Sequence, residues 1–346
     1  MVKAFRLMPH FGASLRNVRI TAMTLTASAA AEIDNIVFAR NGFVETRVGF
    51  ALELYLLKGE TVETRLALCS MLRDYHALFP DRLSHFLKVD ANRLTKVQGE
   101  AYIDYYEDKA KSLPSSEPMD TMVVGYPGKR IIDEPTPLSI SFSAVGPDPL
   151  RPLGGSYICA YFPAAFVAER GYSILLDMTK RWGAMVETLH GGVGYSLLLE
   201  HGIFSGGNAA DITILPALKR FPGLDFSDPG HFEVESDLRD GLSIKSINWL
   251  TVLGDNLVEK LGDTVMLQEQ LGSTCPIYPF RGGIVIQAGE EPQLGDVNRG
   301  LVLDDYRRVA QALHPVRFEA YRRGLFPLPA PLDPIEETLS WVRRFD

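Results

Sequence analysis

The sequence predicts an α+β fold: mixed or antiparallel sheets covered by helices, in one compact body of two related lobes. Three observations carry that reading. The 346 residues are 46% hydrophobic, 23% charged and 10% aromatic, ordinary fractions for a globular chain, and the length allows one large unit or two fused lobes. Dense apolar runs of strand length at residues 49–57 and 157–162 are each followed by apolar residues at helical spacing. A hairpin signal lies around the triplet Arg281-Gly282-Gly283.

Taken in order, residues 20–31 hold Thr21, Thr24 and Thr26, too polar for the apolar centre of a signal peptide, and read as a retained strand. The run 49–57 has Glu53 as its single charge before Lys58 and reads as a buried strand. A helix follows from Thr61. Leu68, Met71, Leu72, Tyr75 and Phe79 recur at three- and four-residue steps, Glu60 and Glu63 stand near its positive end, and Pro80 stops it. Prolines at 114 and 118, and then at 135, 137, 147, 149 and 152, punctuate the chain around a short strand at 138–144. They place a soft boundary between an N-terminal lobe, residues 1–140, and a C-terminal lobe, residues 141–346, packed closely on it.

In the second lobe, 157–162 is a strand, Pro163 opens a short helix and Gly171 interrupts it. Ile174, Leu175, Met178, Trp182, Met185, Val186 and Leu189 make the stripe of a longer helix, with His190, Gly191 and Gly192 as its last turn and left-handed exit. Residues 195–199 return as a strand. The strand, helix and strand order resembles residues 49–79, which is why the lobes read as related. Residues 246–253 read as a strand, 255–261 as a helix ended by Gly262, and 278–287 as the hairpin. The last helix has Asp333 as N-cap, Pro334 at its first position and Glu336 three residues past the cap. Ile335, Leu339 and Val342 form its inner stripe, and Arg343 and Arg344 suit its negative end. Trp182, Trp249 and Trp341 lie in apolar patterns and are expected in the core.

A net charge of −8 and a pI near 5.5 speak against nucleic acid as the direct ligand. Cys69, Cys159 and Cys275 are odd in number and far apart, which points to a reducing cytoplasm, with Cys69 and Cys159 as core residues. No run reaches the ~18 apolar residues of a membrane span, so no membrane partner is expected. Gly191-Gly192-Val193-Gly194 and Gly206-Gly207 do not fit a phosphate loop. The seven histidines show no metal-ligand spacing, and His76 and His85 straddle Pro80. Asp304-Asp305 and Glu336-Glu337 sit in first helical turns, where capping explains them. Neither a catalytic signature nor a metal, nucleotide or flavin site is expected.

The segment Lys245-Ser246-Ile247-Asn248-Trp249-Leu250-Thr251-Val252-Leu253-Gly254-Asp255 continues through Leu257-Val258-Glu259-Lys260-Leu261-Gly262. Ahead of it stands His190-Gly191-Gly192-Val193-Gly194-Tyr195-Ser196, and the chain closes on Leu339-Ser340-Trp341-Val342-Arg343-Arg344-Phe345-Asp346. On these segments the chain, from about Val44 to its end, resembles the type VI immunity-protein family of Gram-negative bacteria, long catalogued only as a domain of unknown function. Asp263 follows Gly262 where the family pattern has a second glycine. The resemblance implies a protein that binds and neutralises a toxin delivered by a contact-dependent secretion machine, and it carries over no catalytic residue. The competing classes are an enzyme, a hydrolase using His190 or His201 beside acidic groups, and an adaptor or structural component of the same secretion system.

An immunity protein needs a complementary surface. Residues 225–240 hold Asp225, Asp228, Glu233, Glu235, Asp237 and Asp240 against Arg239 alone, with little apolar material for a core. These six acids are the expected partner-binding residues, facing a toxin with a basic face. Glu290, Glu291 and Asp296 are the next candidates.

Overall fold

The computed structural model of the protein describes residues 25–40, 43–126, 134–147, 155–199, 211–235, 242–326 and 328–346. Helix α1 (Ala27–Asp34) stands where a strand is expected. Ala27, Ala29, Ala30 and Ala31 are strong helix formers, and the Thr26 hydroxyl accepts the Ala29 N–H as a cap; residues 20–24 lie outside the described residues. Strands β1 (Val37–Arg40) and β2 (Phe43–Leu56) follow. Helix α2 (Val62–Leu78) runs as its spacing predicts, capped by Thr61 on the Thr64 N–H. The chain continues through β3 (His85–Leu87), β4 (Leu94–Lys96), α3 (Ala101–Ser112), β5 (Met119–Val124) and β6 (Ser139–Ala144).

Strand β7 (Ser156–Phe162) leads into α4 (Ala164–Arg170) and α5 (Ser173–Gly183), which Gly171 separates at φ +79°. Then come β8 (Thr188–Leu198), α6 (Asp211–Arg220), β9 (Asp225–Ser227) and α7 (Pro229–Glu235). Strand β10 (Leu250–Gly254) precedes α8 (Asp255–Lys260) and α9 (Thr264–Leu271). The hairpin β11 (Ile277–Phe280) and β12 (Gly283–Gln287), helix α10 (Asp304–Leu313) and helix α11 (Pro334–Val342) complete the chain. Asp333 caps α11, its carboxylate accepting the Ile335 and Glu336 N–H groups.

The twelve described strands form one sheet in the order β11-β12-β10-β8-β2-β7-β6-β5-β3-β4, with β1 on β2 and β9 on β8. Every pair is antiparallel except β8 with β9. The fold is therefore α+β, and the expected sheet regions are the two ends of one sheet. Strand β2, from the first lobe, is the centre of the second: β8 lies on one side of it and β7 on the other. Residue 140 falls inside β6.

One expected helix ends early, and strand takes its last part. Leu189 to Gly192 join β8 instead of ending α5, because β8 is bonded by β2 on one side and β10 on the other. Two ladders outweigh a stripe that would have continued only one helix. The glycines serve that packing: a Cβ on Gly191 would strike the Glu53 carbonyl, and one on Gly194 the Asn248 side chain.

The period of two gives the sheet two different faces. Phe50, Leu52 and Leu54 point to one face together with Ile158, Ala160 and Phe162. Helix α2 seals it, with the Tyr75 ring 5.5 Å from Phe162, and α5 packs there too. The other face carries Ala51, Glu53 and Tyr55 level with Tyr161, Cys159 and Tyr157, and is covered by β9, α7 and the chain after α10. Phe232 of α7 packs edge-on to Tyr55, Phe318 and Tyr321. Trp182, Trp249 and Trp341 are all buried, and so are the three free cysteines.

Candidate functional site

The second face encloses a network of ionisable groups. Glu53, the lone charge of the run 49–57, sits on β2 opposite Cys159 of β7 and Gly192 of β8. Lys245 reaches it from the chain before β10. The Lys245 Nζ donates to Glu53 Oε2 at 2.8 Å and to the Phe226 carbonyl at 2.5 Å, and lies 3.9 Å from Asp225 Oδ1. The Ser227 hydroxyl donates to Glu53 Oε1 at 2.5 Å, and the Tyr55 hydroxyl to Oε2 at 3.2 Å. Asp225 accepts from the Ser246 hydroxyl at 3.1 Å and the Asn248 amide at 3.2 Å. Glu53 and Lys245 are 5% and 3% exposed, a desolvation that only such pairing offsets.

Burial raises the Glu53 carboxyl, with Lys245 opposing. Burial works against the Lys245 ammonium, but Asp225 and Glu53 together hold it above the ordinary lysine value. Burial also pushes the Cys159 thiol well up, so it is a packed hydrogen-bonding group 3.3 Å from Ser227 Oγ rather than a thiolate. His190, beside Tyr55 in register, stacks on that ring at 4.2 Å. Its Nε2 has no hydrogen-bond partner, and burial lowers it to about 3, so it stays neutral.

A second cation closes the network from the C-terminus. The Arg344 guanidinium donates to the carbonyls of Pro222 at 2.7 Å, Ile247 at 2.9 Å and Trp341 at 3.0 Å. Burial lowers it to about 10, with Asp225 opposing. Arg344 thus ties both flanks of the acidic stretch to the last helix, a role its helix-end position did not disclose.

The expected partner-binding acids divide sharply. Asp225 and Glu233 are 5% and 4% exposed and face inward, because Leu224, Phe226 and Phe232 supply the core that the acidic composition concealed. Asp228 is a quarter exposed and lies 3.8 Å from His231. The side chains of Glu235, Asp237 and Asp240 lie outside the described residues. Of the next candidates, Asp296 is buried in a two-pronged ion pair with Arg220, at 3.0 and 2.8 Å, while Glu290 is exposed and Glu291 half-buried. The residues that the sequence reading passed over are Lys245, Ser227 and Arg344. A lysine entering an apolar run was the available signal for the first.

Two groups of exposed apolar residues stand out. Val265 and Met266, 68% and 50% exposed, begin α9, and Val297, Leu301 and Val302, 61%, 42% and 48% exposed, lie around the turn that Asp296 organises. Asp263 caps α9 by accepting the Met266 N–H at 2.8 Å, and Gly262 before it takes φ +106°. The departure from the expected double glycine is therefore a helix cap. Among the described residues, no group of three or more His, Cys, Asp or Glu is placed to hold a metal ion, and no helix is long and apolar enough to cross a membrane.

The geometry offers a sealed polar hub and a set of rigid surfaces, and comparison with known proteins supplies the class: type VI immunity, by a sequence model that matches residues 67–345. That model describes the TsiV family, type VI immunity for VRR-NUC, and the chain belongs to this family. Among solved structures, the Pseudomonas aeruginosa T6SS protein PA0821 shares the fold, with a TM-score of 0.75 at 17% identity over 92% of this chain and 90% of that one. No curated protein matches the chain.

Proposed function

We propose that this chain binds and neutralises a VRR-NUC nuclease effector of a type VI secretion system and so protects the cell that makes it. The observation that carries this reading is the family match over residues 67–345. Charge agrees with it: a nuclease must hold a polyphosphate backbone and therefore presents a basic face, and this chain carries −8, so opposite fields would speed their encounter. The hydrolase alternative rests on His190 or His201: the His190 ring is 2% exposed and enclosed by Tyr55 and Phe232, beyond a substrate's reach, and His201 lies outside the described residues.

Of the acidic stretch, Asp225 and Glu233 leave this proposal because they are committed to the interior, while Asp228, Glu235, Asp237 and Asp240 stay in it as contacts. The test is co-expression with the effector encoded beside this protein. Survival of the host together with co-purification of the two chains is the expected result. Survival without a complex, or a complex that leaves the effector toxic, removes the reading.

A further inference from the structure

The elbow between α8 and α9 combines two independent features. First, it presents adjacent large aliphatic side chains on one helical turn, and Val265 is the most exposed large hydrophobic residue described. A single exposed aliphatic residue is ordinary. Two together at a fixed corner match the apolar centre of an interface. Second, the rim is acidic. Asp255 and Glu259 lie four residues apart on α8 and so share a face, Asp263 stands at the corner and Glu269 follows on α9, all exposed. None of the four forms an ion pair among the described residues. Lys260 is the only base of residues 255–271, and its ammonium is turned to the Leu242 carbonyl at 3.0 Å.

The elbow is also held rigidly. Leu257 anchors α8, Leu267 and Leu271 anchor α9, and the Asp263 cap fixes the turn between them, so little ordering remains to oppose binding. The other exposed group, Val297, Leu301 and Val302, has Arg299 within its turn, a cation that a basic partner would meet unfavourably.

We infer that the α8–α9 elbow is the docking surface for the effector, with Val265 and Met266 at its centre and the carboxylates of Asp255, Glu259, Asp263 and Glu269 facing the effector's cationic phosphate-binding face. This rests on the function proposed above and goes beyond it by naming the surface.

The test uses the full chain and its purified effector, with binding kinetics at low and high salt. Reversing Asp255, Glu259 and Glu269 to lysine should slow association by about tenfold at low salt and flatten its salt dependence. Val265→Ser with Met266→Ser should leave association near wild type and speed dissociation by about tenfold. Val297→Ser with Leu301→Ser should bind as wild type. Each variant's melting temperature is measured alongside, and hydrogen exchange on the wild-type complex reads the same surface without any substitution: amides of residues 255–271 should slow on binding. Folded elbow variants that bind like wild type, or unchanged exchange over 255–271, overturn the inference and leave the immunity reading standing. A wild-type chain that neither binds nor protects removes both.

Discussion

At the scale of single residues, the buried pair of Lys245 and Glu53 decides how this face of the sheet can be built. An ammonium and a carboxylate taken out of water gain little over an apolar pair of the same shape, but losing one partner strands the other. Lys245→Met should therefore destabilise the fold by about 3–5 kcal/mol, and adding Glu53→Gln should recover part of that loss. Denaturant titration of the two single variants and the double variant measures the coupling, and additive losses would refute it. The same logic changes the meaning of a charge reversal at Asp225. A lysine there would bring a second ammonium beside Lys245 and test folding instead of partner steering. His190 gives a pH dependence of definite sign. The folded state keeps it neutral down to about pH 3, whereas the unfolded chain takes up its proton near pH 6.5. Folding free energy is thus fully present above about 6.5 and falls as the pH drops through that window, by at most ~1.4 kcal/mol per pH unit from this group. His190→Phe should fall less steeply between pH 6.5 and 4.5 than wild type, and parallel curves would exclude the assignment.

At the scale of elements, local chemistry explains the ends well and the middles unevenly. Asp333 with Pro334 announced α11, and the carboxylate accepts two backbone N–H groups as that pattern requires. Asp333→Ala should cost ~1 kcal/mol, read as a lowered melting temperature with α11 amides exchanging faster than those of α2. Thr61 and Pro80 bounded α2 in the same local way. The stripe from Ile174 to Leu189 was misleading because Leu189 stands at helical spacing from Met185 and Val186 although it already belongs to a strand buried on both faces. Thr188 to His190 are buried without alternation, and only the neighbouring strands β2 and β10 show why. The alanines of α1 favour helix by propensity, a signal that the strand reading of residues 20–31, built on its threonines, passed over.

At the scale of the whole molecule, the position of β2 matters most. Its pairing with both β7 and β8 threads the N-terminal part of the chain through the middle of the C-terminal part, and Trp182 of α5 donates to Asp74 of α2 at 3.0 Å. Lobes divided near residue 140 would share one sheet and one core. Calorimetry should accordingly show one cooperative transition, with separately expressed residues 1–140 and 141–346 failing to fold alone. Two resolved transitions, or a folded fragment, would contradict it.

Where information is local, the sequence alone determined the outcome: the buried strand around Glu53, the run of α2, the β11–β12 hairpin, the capped last helix and the burial of all three tryptophans follow from periodicity, caps and turn glycines. Its segments around Lys245 and Trp341 also led to the immunity family. Only the tertiary structure decided which acids are surface and which are interior. Asp225 and Glu233 look like solvated charge in a one-dimensional reading, because Lys245, Ser246 and Asn248, which meet Asp225, come from the chain before β10, and the rings that bury Phe232 beside Glu233 come from β2 and the C-terminal segments. A charge's solvation depends on neighbours in space, and sequence spacing carries that only when the neighbours are on the same helix or strand.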